Sequence, residues 1–501
     1  MRLFMSTLVA GTLLLVSPLM AGGTPVDEPL TSKLSDPIET VLGEGATYKY
    51  DAFRLSADNL HLTWFDLAPL ANRAFLDGRP GRAYREINES KVVISPNGRR
   101  VAYIAGKGYR DHVLVLDGRE SRPYRSIDGL AFSPDSRRFA YFGRETDGGW
   151  HVIIDGKRHG PYDSGNYALT GDVTDEGARL PAVFTHDSRH TAYAAARDVG
   201  RKREWFLVID GEEGPAYDEP SDTPNIVIAT DSPEPRVACT LGRDGRDLVV
   251  HNGVETRAHD AVRWPAMSPD GTRLAYFARD GEQGAVYLDG AVVADCDGTD
   301  PRFMIFSPDG QRFACIVRRG ETWTAIVDGE PGAEYDHAHS PTFSPDSQRF
   351  AHGAAFGQHG GTSLVVLDGE EGPDYARVAQ LTFSPDSRRF AYRAKVSEAQ
   401  IMVVVDGNEC VAGHHWDDDL ASAIVFSPDS RHVAYFRVDG WFDRRIVIDD
   451  FCVGPSYALP ISPPVFTDGK IEYLTLTDWA KRRVAHISHA FTELKAKGGD
   501  R

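Results

Sequence analysis

Short runs of branched apolar residues, punctuated by turn formers, recur along the chain. Ile401-Met402-Val403-Val404-Val405 ends at Asp406-Gly407, the dipeptide a two-residue type I′ hairpin demands because both of its positions need positive φ. Phe383 ends another run at Ser384-Pro385-Asp386-Ser387. There Pro presets the φ of the second turn position while Ser and Asp bond nearby backbone, which predicts a type I turn. The strand that follows, Arg389-Phe390-Ala391-Tyr392, places a small Ala between two aromatics, as does Arg138-Phe139-Ala140-Tyr141. Faces of unequal bulk suit sheets stacked face to face. With the segment after the hairpin, each unit supplies four short antiparallel strands.

The units repeat. The Asp-Gly half occurs at Asp77, Asp117, Asp155, Asp210, Asp289, Asp328, Asp368 and Asp406, with worn copies at Asn252-Gly253 and Asp449-Asp450. A Tyr follows many of them six positions after the Gly. The Ser-Pro half answers at Ser95, Ser133, Ser268, Ser307, Ser344, Ser384 and Ser427, with variants at Thr185, Asp231 and Thr467. A period of about 40 is that of a four-stranded propeller blade. The expectation is an all-β chain of about ten four-stranded blades over residues 70–477, after a lead-in segment at 22–69. These blades close as one large ring or as two smaller ones; the usual blade number favours two rings, the lack of a linker one. Because the array starts with an Asp-Gly half and finishes with a Ser-Pro-like half, the two ends can complete one blade between them and remove exposed edges. In the basic tail at 478–501, Val484, Ile487, Phe491 and Leu494 fall at helical spacing and predict a short amphipathic helix.

Phe132-Ser133-Pro134-Asp135-Ser136 and Phe426-Ser427-Pro428-Asp429-Ser430 resemble the WD40-like (PD40) repeat of the TolB-type β-propellers. The resemblance spans most of the repeat region and implies a propeller fold. It does not carry over docking to the TolB partner lipoprotein, because that family's N-terminal α/β domain has no evident counterpart before the first repeat.

Met1 to Ala21 combine an early Arg2, an apolar core through Leu13-Leu14-Leu15-Val16 and small residues at Ala21-Gly22-Gly23, which reads as a secretory signal and predicts a secreted or periplasmic protein. No Cys follows to carry a lipid anchor. No other window reaches the roughly 18 to 20 apolar residues of a spanning helix, so no stable membrane span is expected after cleavage. The net charge of −18 repels polyanions and disfavours nucleic acid as a partner. Of the five cysteines, Cys239, Cys296 and Cys315 fall at strand positions that are Tyr in other copies. Cys410 and Cys452 follow adjacent hairpins, where a bridge is conceivable.

Catalytic signatures are missing: the chain has no Gly-x-Ser-x-Gly elbow, no phosphate loop and no His-Glu-x-x-His helix. Asp295-Cys296-Asp297-Gly298-Thr299-Asp300 looks like a calcium loop, but Asp297 follows the Tyr position as Asp163, Asp218 and Asp336 do, so it belongs to the repeat. No metal and no cofactor are expected. In a meander the Ser-Pro turns and Asp-Gly hairpins share one face, which leaves the variable loops, where recognition usually resides, on the other. Candidate binding residues there are His337 and His339, His414, His415, Trp416 and Asp418, and the basic loop of Arg201 and Arg203. Each cluster is also explained by a solvated loop. Three functions remain: a non-catalytic exported propeller binding a protein or envelope glycan, a glycan-active lyase or hydrolase, and a structural spacer.

Overall fold

The computed structural model describes residues 31–34, 38–43, 54–66 and 72–494, apart from 108–110, 147, 164–183, 223, 358–360, 398–399, 414–422, 441–442, 450, 458, 468 and 479–482. The expected secretory signal therefore lies outside the described residues. Every regular element among the described residues is a β-strand. The Asp-Gly motif takes the expected conformation: Asp117 (φ 51) and Gly118 (φ 77) are both left-handed, as a type I′ hairpin requires.

The motif residues also lock one sheet to the next. In the sheet spanning residues 298–335, Asp328 accepts the Phe313 amide at 3.0 Å and the Arg312 Nε at 2.8 Å. Arg312 Nη1 then donates to the Ser347 and Gln348 carbonyls of the following sheet, at 3.2 and 2.7 Å. Its guanidinium lies 5.2 Å above the Phe343 ring. Ser347, at φ 66, returns the connection by accepting the Asp309 amide at 3.0 Å. Arg100, Arg138, Arg273 and Arg389 make the same ion pair and reach across in the same way. The Tyr and Asp that follow each hairpin extend the scheme. Tyr335 donates to Glu371 of the next sheet at 2.8 Å, and Asp336 caps the next sheet's Gly357 amide at 2.6 Å. Asp297 does likewise for the Gly320 amide at 2.6 Å, which gives the apparent calcium loop its structural role.

Successive sheets stack through buried clusters. Phe142 and Val152 meet Tyr193 and Val208; Ala192 and Trp205 meet Cys239 and Val250; Phe277 and Val286 meet Phe313 and Cys315. The series ends where it began, because Leu62 and Trp64 pack on Leu474, Leu476 and Val484. Each buried Val, Leu or Phe among them contributes about 1.5–3 kcal/mol. The first strands, such as Ala261–Met267, Gly298–Phe306 and His337–Phe343, contact one another along the inside. The fourth strands, such as Glu330–Tyr335, lie exposed at the rim and bury only their terminal Tyr. This is the β-propeller arrangement.

The ends do complete one sheet, with segments other than those expected. Strand Arg483–Leu494 pairs with Lys470–Asp478 on one side and with Thr31–Leu34 and Ile38–Gly43 on the other. This corrects the C-terminal helix. Val484 faces the first sheet while Ala485 and Ile487 face the preceding one, so a strand buried on both sides mimicked helical spacing. The lead-in also supplies Arg54–Leu55 and Leu62–Asp66 to the first sheet. Between them Ser56-Ala57-Asp58-Asn59 forms the usual turn without its Pro, with Asn59 at φ 58 and the Ser56 amide donating to the His61 carbonyl. Cys239, Cys296 and Cys315 are buried free thiols and Cys410 is buried, while the side chain of Cys452, on which the Cys410–Cys452 bridge depends, lies outside those described.

Candidate functional site

The hairpin face is consumed by the inter-sheet bonds described above, so the opposite face holds the unassigned chemistry. There the first strand His337–Phe343 pairs with Phe350–Phe356, and its register breaks between His339 and Thr342. Ser340 sits at φ 53 inside that break. Such a bulge re-aims the side chains beside it. The His337 ring lies 5.4 Å from Trp323 and 5.8 Å from His339. His339 packs directly on Gly353, where an added Cβ would fall 2.2 Å from the ring, and its Nδ1 is 3.0 Å from the Ser340 hydroxyl. His352 is buried against Tyr335 and Phe350, with Nδ1 3.2 Å from the Gly353 carbonyl.

Burial, reinforced by His337, His352 and Arg377, lowers His339 to about 4. Burial also lowers His337, and it lowers His352 despite the Gly353 carbonyl. All three imidazoles are thus held neutral, and no carboxylate touches His337 or His339 among the described residues. A neutral imidazole with no orienting acid is a hydrogen-bonding group rather than a tuned general acid or base. The cluster offers one exposed imidazole beside an indole. Trp323 escaped the sequence reading because Trp150 and Trp205 occupy equivalent strands as buried packing residues.

The other candidates are not gathered here. Arg201 is exposed at the Gly200 turn between Ala192–Val199 and Lys202–Ile209, on a different sheet. Arg203 is paired with Asp198 at 2.8 Å and Glu219 at 3.6 Å, which makes it a local structural cation. His414, His415, Trp416 and Asp418 lie outside the described residues. Among the described residues no group of three or more His, Cys, Asp or Glu side chains is arranged to hold a metal ion. No helix among them is long and apolar enough to cross a membrane.

No family model matches the chain, and no curated protein matches it. Among solved structures it is similar to a crystal structure of the eukaryotic initiation factor, at 15% identity over 83% of this chain and 95% of that one, with a TM-score of 0.37. It is also similar to TolB from Acinetobacter baumannii, at 14% identity over 60% and 79% of the two chains and a TM-score of 0.24. The β-propeller domain of the Trilobed protease from Pyrococcus furiosus aligns at 12% identity over 62% and 99%, with a TM-score of 0.25. At these values no function is transferred to this chain.

Proposed function

We propose that the chain is an exported, non-catalytic β-propeller, closed as a single ring, that binds a protein or cell-envelope component through the variable loops of one face. The carrying observation is the division of labour between the faces. The repeated Ser, Arg and Asp residues of the hairpin face are used up in joining sheets, while the other face, where Asp297 and Asp336 also cap Gly320 and Gly357, carries Trp323, His337 and the loops that differ from sheet to sheet. The packing of Leu62 and Trp64 on Leu474 and Val484 supports a single ring. The lowered pKa values of His337 and His339, with no carboxylate in contact with either ring among the described residues, weigh against a glycan lyase or hydrolase. A pure spacer would need no aromatic and imidazole patch on one face.

The test is affinity capture from the source cell envelope with the tagged chain. Wild type is compared with a His337→Ser variant and with a variant whose 414–419 loop is replaced by Gly/Ser. The expected result is a specific partner retained by wild type and lost in either variant at unchanged melting temperature. Turnover of an envelope polysaccharide by the purified chain would refute the non-catalytic reading.

A further inference from the structure

The outer rim carries a second surface that neither the inter-sheet bonds nor the loop face explains. Three repeat positions on the fourth strands are cationic in the first sheets and nowhere else together. Directly after the hairpin Gly stand Arg79, Arg119 and Lys157, where other sheets have Glu212, Val254, Ala291, Glu330, Glu370 and Asn408. Three positions further on stand Arg82 and Arg122. Three beyond those stand Arg85 and Arg125, where later sheets have the turn-capping Asp163, Asp218, Asp260, Asp297 and Asp336. Arg158 adds one more cation.

All eight side chains are exposed. Arg82 is 3.6 Å from Glu120, Arg158 is 2.9 Å from Glu145, and Arg122 also meets Glu145. Arg79, Arg85, Arg119, Arg125 and Lys157 have no carboxylate partner among the described residues. The other acidic groups in and beside these strands are Glu86, Asp163, whose carboxylate accepts the Asp198 amide, and the hairpin residues Asp77, Asp117 and Asp155, which are paired with His61, Arg100 and Arg138 instead. In a chain of net charge −18, a coherent row of unpaired cations is a local inversion of sign. Its counterpart lies on later sheets, whose fourth-strand segments carry Glu330, Glu334, Glu370, Glu371 and Asp374.

We propose that this basic arc, on the outer strands Arg79–Tyr84, Arg119–Glu120 and Lys157–Tyr162, binds a linear polymer of carboxylated sugars. Seven of the eight cations are Arg, whose planar fork matches carboxylate bidentately. Their recurrence at the same repeat position on adjacent sheets suits an extended ligand with one charge per unit. Tyr84, Tyr124 and Tyr162, the aromatics of these segments, are buried, so no platform exists for stacking nucleic-acid bases. The arc runs along the rim and reaches the edge of the loop face only at Arg85 and Arg125; only the choice of a polysaccharide among polyanions rests on the proposed export.

The test measures binding of polygalacturonate to the full chain, with dextran as neutral control and duplex DNA as rival polyanion. The expected result is polygalacturonate binding that weakens about a hundredfold between about 50 and 200 mM salt, as about five neutralised charges predict. The triple variant Arg79→Glu, Arg119→Glu, Lys157→Glu should lose at least about tenfold in affinity at unchanged melting temperature. A variant with Arg201→Glu and Lys202→Glu, outside the arc, should bind as wild type. Absence of polygalacturonate binding, equal affinity of the triple variant, or tighter binding of duplex DNA would each overturn the assignment. So would a salt-sensitive oligomer abolished by the triple variant, since the arc would then be seated on the acidic rim of a second copy. None of these outcomes bears on partner capture by the loop face, so the two readings fail separately.

Discussion

Removing one guanidinium from the inter-sheet ladder should show how much a single rung contributes. In Arg312→Ala three interactions go at once. The ion pair to Asp328 at 2.8 Å joins side chains that are 29% and 44% exposed, so screening limits it to about 0.5–1 kcal/mol. The two bonds from Nη1 to the Ser347 and Gln348 carbonyls are charge-assisted but near the surface, and contribute together about 1–2 kcal/mol. Stacking on Phe343 at 5.2 Å adds about 0.5 kcal/mol. The sum is a loss of about 2–3.5 kcal/mol, expected as a lower urea midpoint with an unchanged m value. Arg312→His separates the contributions, because His61, His190 and His432 occupy this position in other sheets and keep the Asp contact through Nδ1. That variant should retain the Asp328 contact and lose the two carbonyl bonds, falling between alanine and wild type. The reasoning is refuted if Arg312→Ala unfolds within about 0.5 kcal/mol of wild type, the range of an ordinary surface substitution.

Ser387 sits at φ 63 and accepts the Asp346 amide at 2.9 Å. Ser387→Ala should cost about 1–2 kcal/mol in urea unfolding, and Ser387→Gly less, because glycine relieves the backbone as it loses the bond. Gly413, at φ 120, would place a Cβ 2.0 Å from the Val438 carbonyl oxygen, where the strands Asn408–Gly413 and Val433–Gly440 meet in a parallel bridge. Gly413→Ala should therefore cost more than about 3 kcal/mol, read from the melting temperature. His339 is neutral in the fold and is lowered to about 4, whereas the unfolded chain takes up its proton near pH 6.5. Its contribution is present in full above about pH 6.5 and is lost as pH falls toward 4, by up to about 3 kcal/mol. The urea midpoint of His339→Gln should accordingly drop less than that of wild type between pH 7 and 4.5. Tyr375→Phe removes the bond to Glu409 at 2.8 Å and should lower stability by about 1 kcal/mol in the same assay.

The local chemistry of this protein was legible in its residues. Asp-Gly and Ser-Pro-Asp-Ser act within a few positions of chain: positive φ at Asp406 and Gly407, and Ser384 bonded to Asp386 at 2.6 Å, follow from residue type alone. Repetition of such units then requires stacked sheets, since no single unit can bury its own faces. Where the motif lost its Pro, as at Ser56-Ala57-Asp58-Asn59, the turn survived through Ser and Asn, and the sequence pattern missed it. The fate of the ends was decided by tertiary structure, because it pairs residues on opposite sides of the chain. Thr477 donates to Glu39, and Ile487 is buried between a C-terminal and an N-terminal strand. A strand covered on both faces has no alternation to display, so Val484, Ile487, Phe491 and Leu494 read as a helix until their partners were in place. The same limit applies to the histidines. Their neutrality arises from Gly353, Trp323, His352 and Arg377, brought together by sheet packing and invisible in the spacing of His337 and His339. Sequence alone settles what a residue does to its own backbone and to its near neighbours; burial and charge depend on which distant segments close over it.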